Sequence, residues 1–400
     1  MPGPGFFFFG DEERKEVMDV LESGYLSRYG KDDDLRFKQK VYTLEREFAH
    51  KIGTNFCVAV NSGTSALMAS LIAVGLQPGD EVLVPGYTFI ASMSSVIAVG
   101  GVPVLVEVDE SLTMDPQDAE RKITPRTRVI MPVHMLGNPC DMEKIMTLAQ
   151  KYNLTVIEDC CQALGGSYRG QRLGTFGACA AFSLNNYKVI NSGDGGLLVT
   201  NDEILYRRAF AFHDQGHLPL RKGVEIGNRT IIGINMRMNE LTGAFALGQL
   251  RKLDRILETL RVKKARFKAG IQAGGLEGFT FRRINDPGEC ATLLTVQFEN
   301  EKLAEQAAQA LHSKVIYHSG WHVYNNMEQL LSFRDAGGNQ RYYKNMLPHT
   351  DSILRRSINL SVGVVDPGLG ADFGITPLTS EEEIDRKAEE FIRLVKPITG

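Results

Sequence analysis

Between residues 57 and 200 short apolar runs recur, each bounded by turn residues: Cys57 to Val60, Glu81 to Val84, Pro103 to Val108, Arg128 to Val133, Thr155 to Glu158, Cys179 to Ser183 and Leu197 to Thr200. Uninterrupted apolar runs of this length suit strands buried on both faces. Most are separated by enough chain for a crossover helix, and that alternation predicts a seven-stranded, mainly parallel α/β sheet. The last two runs are joined by a loop with no room for a normal helix, so an antiparallel pair is expected there.

Outside this block the period changes. Val17, Met18, Val20 and Leu21 recur at helical spacing behind early acidic residues, which predicts a helix over 11–23. Tyr42 to Ile52 reads as a second amphipathic helix, with Gly24 and Gly30 bracketing the loop between them. A long helical stretch from Asn239 to about Ala269 carries Leu241, Ala244, Phe245, Leu247, Gly248 and Leu250 on one face. Beyond it lie a strand-like segment (Ala291 to Phe298), a helix (Lys302 to Leu311) and a final helix. Thr379 or Ser380 caps that helix, and Glu382 and Glu383 stand in its first turn. A chain of 400 residues is too long for one simple core. The expected division is a large domain over 1–265, with the N-terminal helices, and a smaller α+β domain over 266–400.

Composition narrows the field. The chain is 43% hydrophobic and 23% charged, the balance of a globular protein. Its 45 basic residues are offset by 48 acidic ones, giving a net charge of −3 and no reason to expect a nucleic-acid partner. The aromatic run Phe6 to Phe9 is far too short to span a bilayer, and no basic residue precedes it. It reads as an N-terminal plug against the core or a partner subunit, in a cytoplasmic protein without membrane attachment. None of the six cysteines forms a C-x-x-C pair, so no metal site is expected; Cys160 and Cys161 read as buried free thiols.

Four segments carry candidate chemistry. Asn61-Ser62-Gly63-Thr64-Ser65-Ala66-Leu67 follows a strand and opens a helix, so free backbone N–H groups and small hydroxyls make a phosphate cradle there. It is not the G-x-G-x-x-G fingerprint, which disfavours a nicotinamide oxidoreductase. Asp159, in Val156-Ile157-Glu158-Asp159-Cys160-Cys161-Gln162, stands at the carboxyl end of a buried strand, where α/β sheets bind ligands. A carboxylate there can keep a pyridinium nitrogen protonated. Lys188 lies just past the strand ending in Phe182-Ser183, in a loop that continues into Asn191-Ser192-Gly193-Asp194-Gly195-Gly196. An amine so placed can capture an aldehyde cofactor, and partial burial would lower its pKa. Ser183 could add a phosphate contact. The fourth segment, Gly233 to Leu241, mixes polar and apolar residues ahead of the long helix. Taken singly, each segment also reads as a helix cap or a solvated loop.

Together and in this order, the four segments resemble the sugar aminotransferase family called DegT/DnrJ/EryC1/StrS, within the fold-type I pyridoxal phosphate (PLP) enzymes. The resemblance runs from Gly10-Asp11-Glu12-Glu13 to Leu378-Thr379-Ser380-Glu381-Glu382-Glu383-Ile384. It implies that Lys188 is the Schiff-base lysine, that Asp159 pairs with the pyridine nitrogen, and that Gln162 lies near the ring hydroxyl. It further implies that Gly63, Thr64, Ser65 and Ser183 cradle the phosphate and that Phe89 stacks on the ring. Asn235 would reach the phosphate from the neighbouring subunit of a homodimer with shared active sites. The implied reaction moves an amino group from glutamate or glutamine to a keto-sugar: a nucleotide-linked sugar, an inosose or an 8-oxo-octulosonate. The commonest family pattern has a proline two residues before the lysine; here that position is Asn186. A dehydrating branch has histidine in place of the lysine, and Lys188 argues against it. Phe212 to His217 and Ser319 to Asn326 look similar to segments of the subgroup making 8-amino-3,8-dideoxyoctulosonate. His213, His217 and His322 are therefore candidates to bind substrate, with a satisfied structural histidine as the competing reading for each. Trp321 is expected to pack within the protein. The rival functions are a PLP-dependent sugar dehydratase or lyase on the same fold and a non-catalytic PLP-binding regulator.

Overall fold

The computed structural model describes residues 3–31, 33–219, 227, 229, 231–335 and 337–399. Seven strands form the main sheet: β1 (Phe56–Val60), β2 (Glu81–Pro85), β3 (Val102–Val106), β4 (Thr127–Ile130), β5 (Thr155–Asp159), β6 (Cys179–Ser183) and β7 (Gly196–Thr200). Their order is β1-β7-β6-β5-β4-β2-β3. Strands β6, β5, β4, β2 and β3 pair in parallel, whereas β7 is antiparallel to both β6 and β1. The expected antiparallel pair is therefore present, and it occurs where the β6–β7 connection is too short to cross over.

Side chains alternate between two cores, as the pleat requires. Cys57, Ala59, Leu83, Val156, Leu197 and Val199 feed one; Val58, Val60, Val82, Val84, Ile157 and Leu198 feed the other. Both faces are covered by helices, which is why these strands read as continuous apolar runs.

The helices Asp11–Ser23 and Lys40–Ile52 precede the sheet, and Glu240–Arg251 and Leu253–Ala273 replace the single long helix of the sequence reading. A smaller antiparallel sheet follows: β8 (Phe279–Phe281), β9 (Leu293–Phe298) and β10 (Ser357–Ser361), in that order. A division at 265/266 falls inside the helix Leu253–Ala273. The last helix, Glu381–Thr399, begins with a reciprocal cap: Ser380 Oγ accepts from the Glu383 N–H (3.3 Å), and the Ser380 N–H donates to Glu383 Oε2 (2.9 Å).

Only part of the N-terminal aromatic run meets the chain's own core: Phe8 packs against it, half-buried. Gly3 to Gly5 are the buried part of that segment. Phe6 and Phe9 face outward, Phe9 stacking on Phe245. Among the described residues no helix is long and apolar enough to cross a membrane.

Candidate active site

The carboxyl edge of the sheet collects three strand ends. Gly196, at the start of antiparallel β7, pairs with Val60 on one side and Ser183 on the other. A methyl group on Gly196 would lie 2.3 Å from the Ser62 carbonyl oxygen and 2.7 Å from the Gly63 nitrogen. The absence of a side chain there lets the helix Gly63–Ala73 start hard against the sheet. Ser62 caps it, its Oγ accepting from the Ser65 N–H (3.1 Å). Gly63 is equally confined: a Cβ would sit 2.8 Å from Ser183 Cβ and 3.0 Å from Cys161 Sγ. The result is a small concavity floored by a helix N-terminus and walled by Ser183, the arrangement that suits an oxyanion.

It opens into a cavity of about 580 Å³. Gly63, Thr64, Phe89, Asp159, Gln162, Ser183 and Lys188 all line it, together with His322. Asp159, the last residue of β5, is buried, and Ser92 Oγ donates to its Oδ2 at 2.7 Å. The Cys161 N–H donates to Oδ1 (3.1 Å). Gln162 accepts from the Leu136 N–H (3.0 Å), which fixes its amide at the wall.

Lys188 sits half-buried in the hydrogen-bonded loop between β6 and β7. In that loop the Asn186 N–H donates to the Gly193 carbonyl (3.0 Å) and the Lys188 N–H to the Asn185 carbonyl (2.9 Å). Gly193 takes the left-handed backbone (φ 83°) that the turn needs. Among the described residues no hydrogen-bond or ion-pair partner holds the Lys188 amine. Desolvation by the surrounding protein lowers its pKa from the ordinary lysine value, while Cys161, Asp159 and Asp366 pull it back up. An amine so placed is chemically able to add to an aldehyde.

The other candidates separate. His322 is buried beside the Phe89 ring (centroids 5.5 Å apart), and its Nδ1 lies 3.1 Å from Ser319 Oγ. Burial first, and then the Lys188 charge, push its pKa down to about 3, so it is a neutral imidazole at the cavity wall. His213 is fully buried away from the cavity. Its Nδ1 donates to the Phe210 carbonyl (2.5 Å), and its Nε2 accepts from Arg28 Nη1 (3.2 Å). Both of its ring nitrogens are thus engaged within the protein. His217 and Ser65 are not among the described residues lining the cavity. Ser65 Oγ is instead turned to Asn61 Oδ1 (2.6 Å) and Ser62 Oγ (2.9 Å). Asn235 is exposed and lies off its own chain's cavity, its Oδ1 accepting from the Arg237 N–H (3.2 Å).

Two expectations are corrected. Trp321 is 60% exposed at the cavity mouth rather than packed, because its backbone is held over the Phe89 loop by the Ile90 N–H (3.1 Å). Cys161 is only partly buried and lines the cavity, unlike its buried neighbour Cys160. Residues to which the sequence reading gives no role include Ser92, Asn185, Tyr187, Asp194 and, from beyond β10, Asp366. The strand-end position of Asp159 was a signal for Asp159 itself, but nothing in the sequence marks Ser92 as its donor.

His134, Glu158 and Cys160 also approach one another, with potential ligand atoms within 4.8 Å. Glu158 already accepts from the Gly174, Phe176 and Gly177 N–H groups (2.8–2.9 Å), and His134 Nδ1 accepts from the Cys140 N–H (3.0 Å). The cluster reads as a satisfied internal network.

An anion cradle, a strand-end carboxylate and an amine without a partner thus share one cleft at the carboxyl edge of a mainly parallel sheet, the layout of a cofactor-binding α/β protein. The chain belongs to the DegT/DnrJ/EryC1/StrS aminotransferase family, which it matches over residues 9–365. It is 40% identical over 243 residues to GDP-perosamine synthase of Caulobacter vibrioides, covering 60% of this chain and 62% of that protein, less than two thirds of its length. It is 37% identical over 283 residues to L-glutamine:2-deoxy-scyllo-inosose aminotransferase of Micromonospora echinospora, covering 68% and 64% of the two chains. The fold matches the solved aminotransferase from Psychrobacter cryohalolentis with a TM-score of 0.81 at 27% identity, over the whole of both chains.

Proposed function

We propose that this chain is a PLP-dependent aminotransferase that transfers an amino group from glutamate or glutamine to a keto-sugar. One observation carries the reading: the Lys188 amine, without a partner among the described residues, opens on the same cavity as Asp159 and the Gly63–Ser183 cradle. The residues fit the cofactor. The cradle, which a Cβ at Gly63 would fill, suits its phosphate, with Thr64 and Ser183 beside it. Asp159, held by Ser92 and the Cys161 N–H, suits its ring nitrogen, and Phe89 and Gln162 flank the space between. When bound, PLP supplies an aldehyde that captures amines and a ring that takes up electron density from the carbon losing its proton.

The chain's own part follows from its groups. Asp159 would hold a proton on the ring nitrogen. The lowered pKa of Lys188 leaves more of its Nζ neutral, able to take a proton from one carbon and return it to the carbon two atoms along. His322, neutral and buried, offers a hydrogen-bonding ring without adding positive charge beside that amine. Exposed Asn235 would serve a second copy of the chain, in a homodimer with shared sites. The six free cysteines suit the reducing cytoplasm.

The test is the visible absorption spectrum of the protein with PLP, before and after glutamine or glutamate, and again with a keto-sugar. A cofactor band that changes with the donor, returns with the keto-sugar and is absent in Lys188→Ala supports the proposal. Release of a deaminated or dehydrated sugar without any donor would replace it with the lyase reading. For the shared site, mixing inactive Lys188→Ala with an inactive Asn235 variant should restore part of the activity; no recovery from co-refolded chains would refute it.

A further inference from the structure

A second cavity, of about 270 Å³, lies between the helix Leu253–Ala273 and the three-stranded sheet. It shares no lining residue with the first. Arg261, Lys264 and Lys268 reach it from one face of the helix, at spacings of three and four residues. Arg282, just past β8, and Glu289, in the loop before β9, complete its charged lining. Four cations thus meet one carboxylate.

That carboxylate is already committed. Glu289 accepts from Lys264 Nζ through both oxygens (2.5 and 2.6 Å) and stands 3.8 Å from Arg282 Nη2. Arg261 spends Nε and Nη2 on the Glu289 and Gly288 carbonyls (2.9 and 3.0 Å). Arg282 is the under-compensated group. Its side chain is 1% exposed, its Nη atoms reach the Met135 and Leu136 carbonyls only at 3.3 and 3.4 Å, and its Nε has no partner among the described residues. Burying a guanidinium with long bonds, a distant carboxylate and an idle donor is costly unless something else neutralises it. Desolvation accordingly lowers the pKa of Arg282, and it brings Lys264 down to about 8 despite the Glu289 partner.

We infer that this cleft is a second binding site, distinct from the aminotransferase cavity, built for a small phosphate oxyanion, either free phosphate or the phosphate of a sugar. Arg282 and the helix-face cations line one volume with a single carboxylate among them, and phosphate offers the negative charge and acceptors that this lining lacks. The cleft also borders the first cavity indirectly. The carbonyl that Arg282 Nη2 holds belongs to Leu136, whose N–H fixes Gln162.

The test is calorimetric titration of the full chain, saturated with PLP and then desalted so that the Gly63 cradle is filled. Inorganic phosphate and a hexose phosphate are added in separate runs at constant ionic strength, with chloride as the control. Lys268 is the residue to change, because its amine lies over the Phe281 ring (5.1 Å) and it makes none of the hydrogen bonds of the buried Lys264–Glu289 pair. Saturable binding that weakens on the order of tenfold or more in Lys268→Glu is expected. Saturation by inorganic phosphate identifies the free anion; saturation by the hexose phosphate alone identifies a sugar-borne one. In Ser183→Asp, which blocks the cradle, the binding should persist. No saturable binding, equal affinity in Lys268→Glu, or loss in Ser183→Asp with Lys268→Glu unaffected would each overturn the inference.

Discussion

Asp159 shows how much one residue depends on neighbours far from it in sequence. Its Oδ2 receives the Ser92 hydroxyl, so the Ser92 oxygen is left to accept from Thr88 Oγ1, 2.6 Å away. This hydroxyl relay orients a buried carboxylate without neutralising it. Removing the middle member in Ser92→Ala deletes a hydrogen bond to a charged group, worth about 1.5–3 kcal/mol. The urea midpoint should fall accordingly. Turnover should drop on the order of tenfold as the carboxylate loses its fixed orientation. A stability loss with unchanged turnover would make Ser92 structural only. His213 and His322 set a second expectation, in pH. Burial, reinforced by Arg28 at His213 and by Lys188 at His322, holds both near a pKa of about 3. In the unfolded chain each titrates near ~6.5. The unfolded state therefore binds more protons between these values, so the stability these residues contribute is fully present above pH ~6.5 and is lost as pH falls toward 3. Each histidine adds a slope of up to about 1.4 kcal/mol per pH unit in that window. Urea unfolding at several pH values should show a shallower acid decline in His213→Gln and His322→Gln than in the parent.

At the scale of elements, the cradle depends on two glycines that keep a helix start pressed against strand ends. In Gly196→Ala the new methyl would meet the rigid Ser62–Gly63 backbone, so overpacking of about 1–3 kcal/mol is expected, along with weaker retention of a phosphate-bearing cofactor. A dialysis comparison of PLP retention checks it; unchanged retention at reduced stability would remove the helix start from the cofactor site. The seven strands were legible in the sequence because helices cover both faces of the sheet, so burial wrote itself as apolar runs. Strand β10 was not. Its run Ser357–Ser361 is fully buried yet alternately polar, and internal bonds satisfy it: Thr295 Oγ1 to Asn359 Oδ1 (2.7 Å), Asn359 Nδ2 to the Leu369 carbonyl (2.9 Å) and Ser361 Oγ to the Ile375 carbonyl (2.9 Å). Hydrophobic patterning cannot see a strand whose polar groups are paid off by tertiary partners. The same blindness hid Asp366, which reaches the cavity from beyond that strand. Motif spacing did place Lys188, Asp159 and Gly63 around one cavity, because each follows directly from a strand end. His213 had no such anchor. Its role is set by Arg28, 185 residues away, and could not be read from the neighbouring sequence.

Across the whole molecule, the same arginine ties the N-terminal segment to the sheet. Arg28 Nη2 donates to both oxygens of Glu45 (2.9 and 3.0 Å), and both side chains are 5% exposed. Glu45 Oε1 also accepts from the Ala59 N–H of β1 (2.8 Å), while Arg28 Nη1 reaches the Ala59 carbonyl (3.3 Å) and His213 Nε2. One ion pair thus joins the loop after the first helix, the second helix, the edge strand and the helix Glu203–His213. A buried pair gains little over water as a pair, but removing one member strands the other charge in the core, at about 3–5 kcal/mol. Arg28→Ala and Glu45→Ala should therefore each be severely destabilising, whereas the double variant should cost clearly less than their sum. The coupling in a urea double-mutant cycle is expected at about 1.5–3 kcal/mol. Additive losses would mean that the two residues hold the N-terminal segment through separate contacts. Strong coupling would mean that the ion pair acts as one unit in docking this segment onto β1.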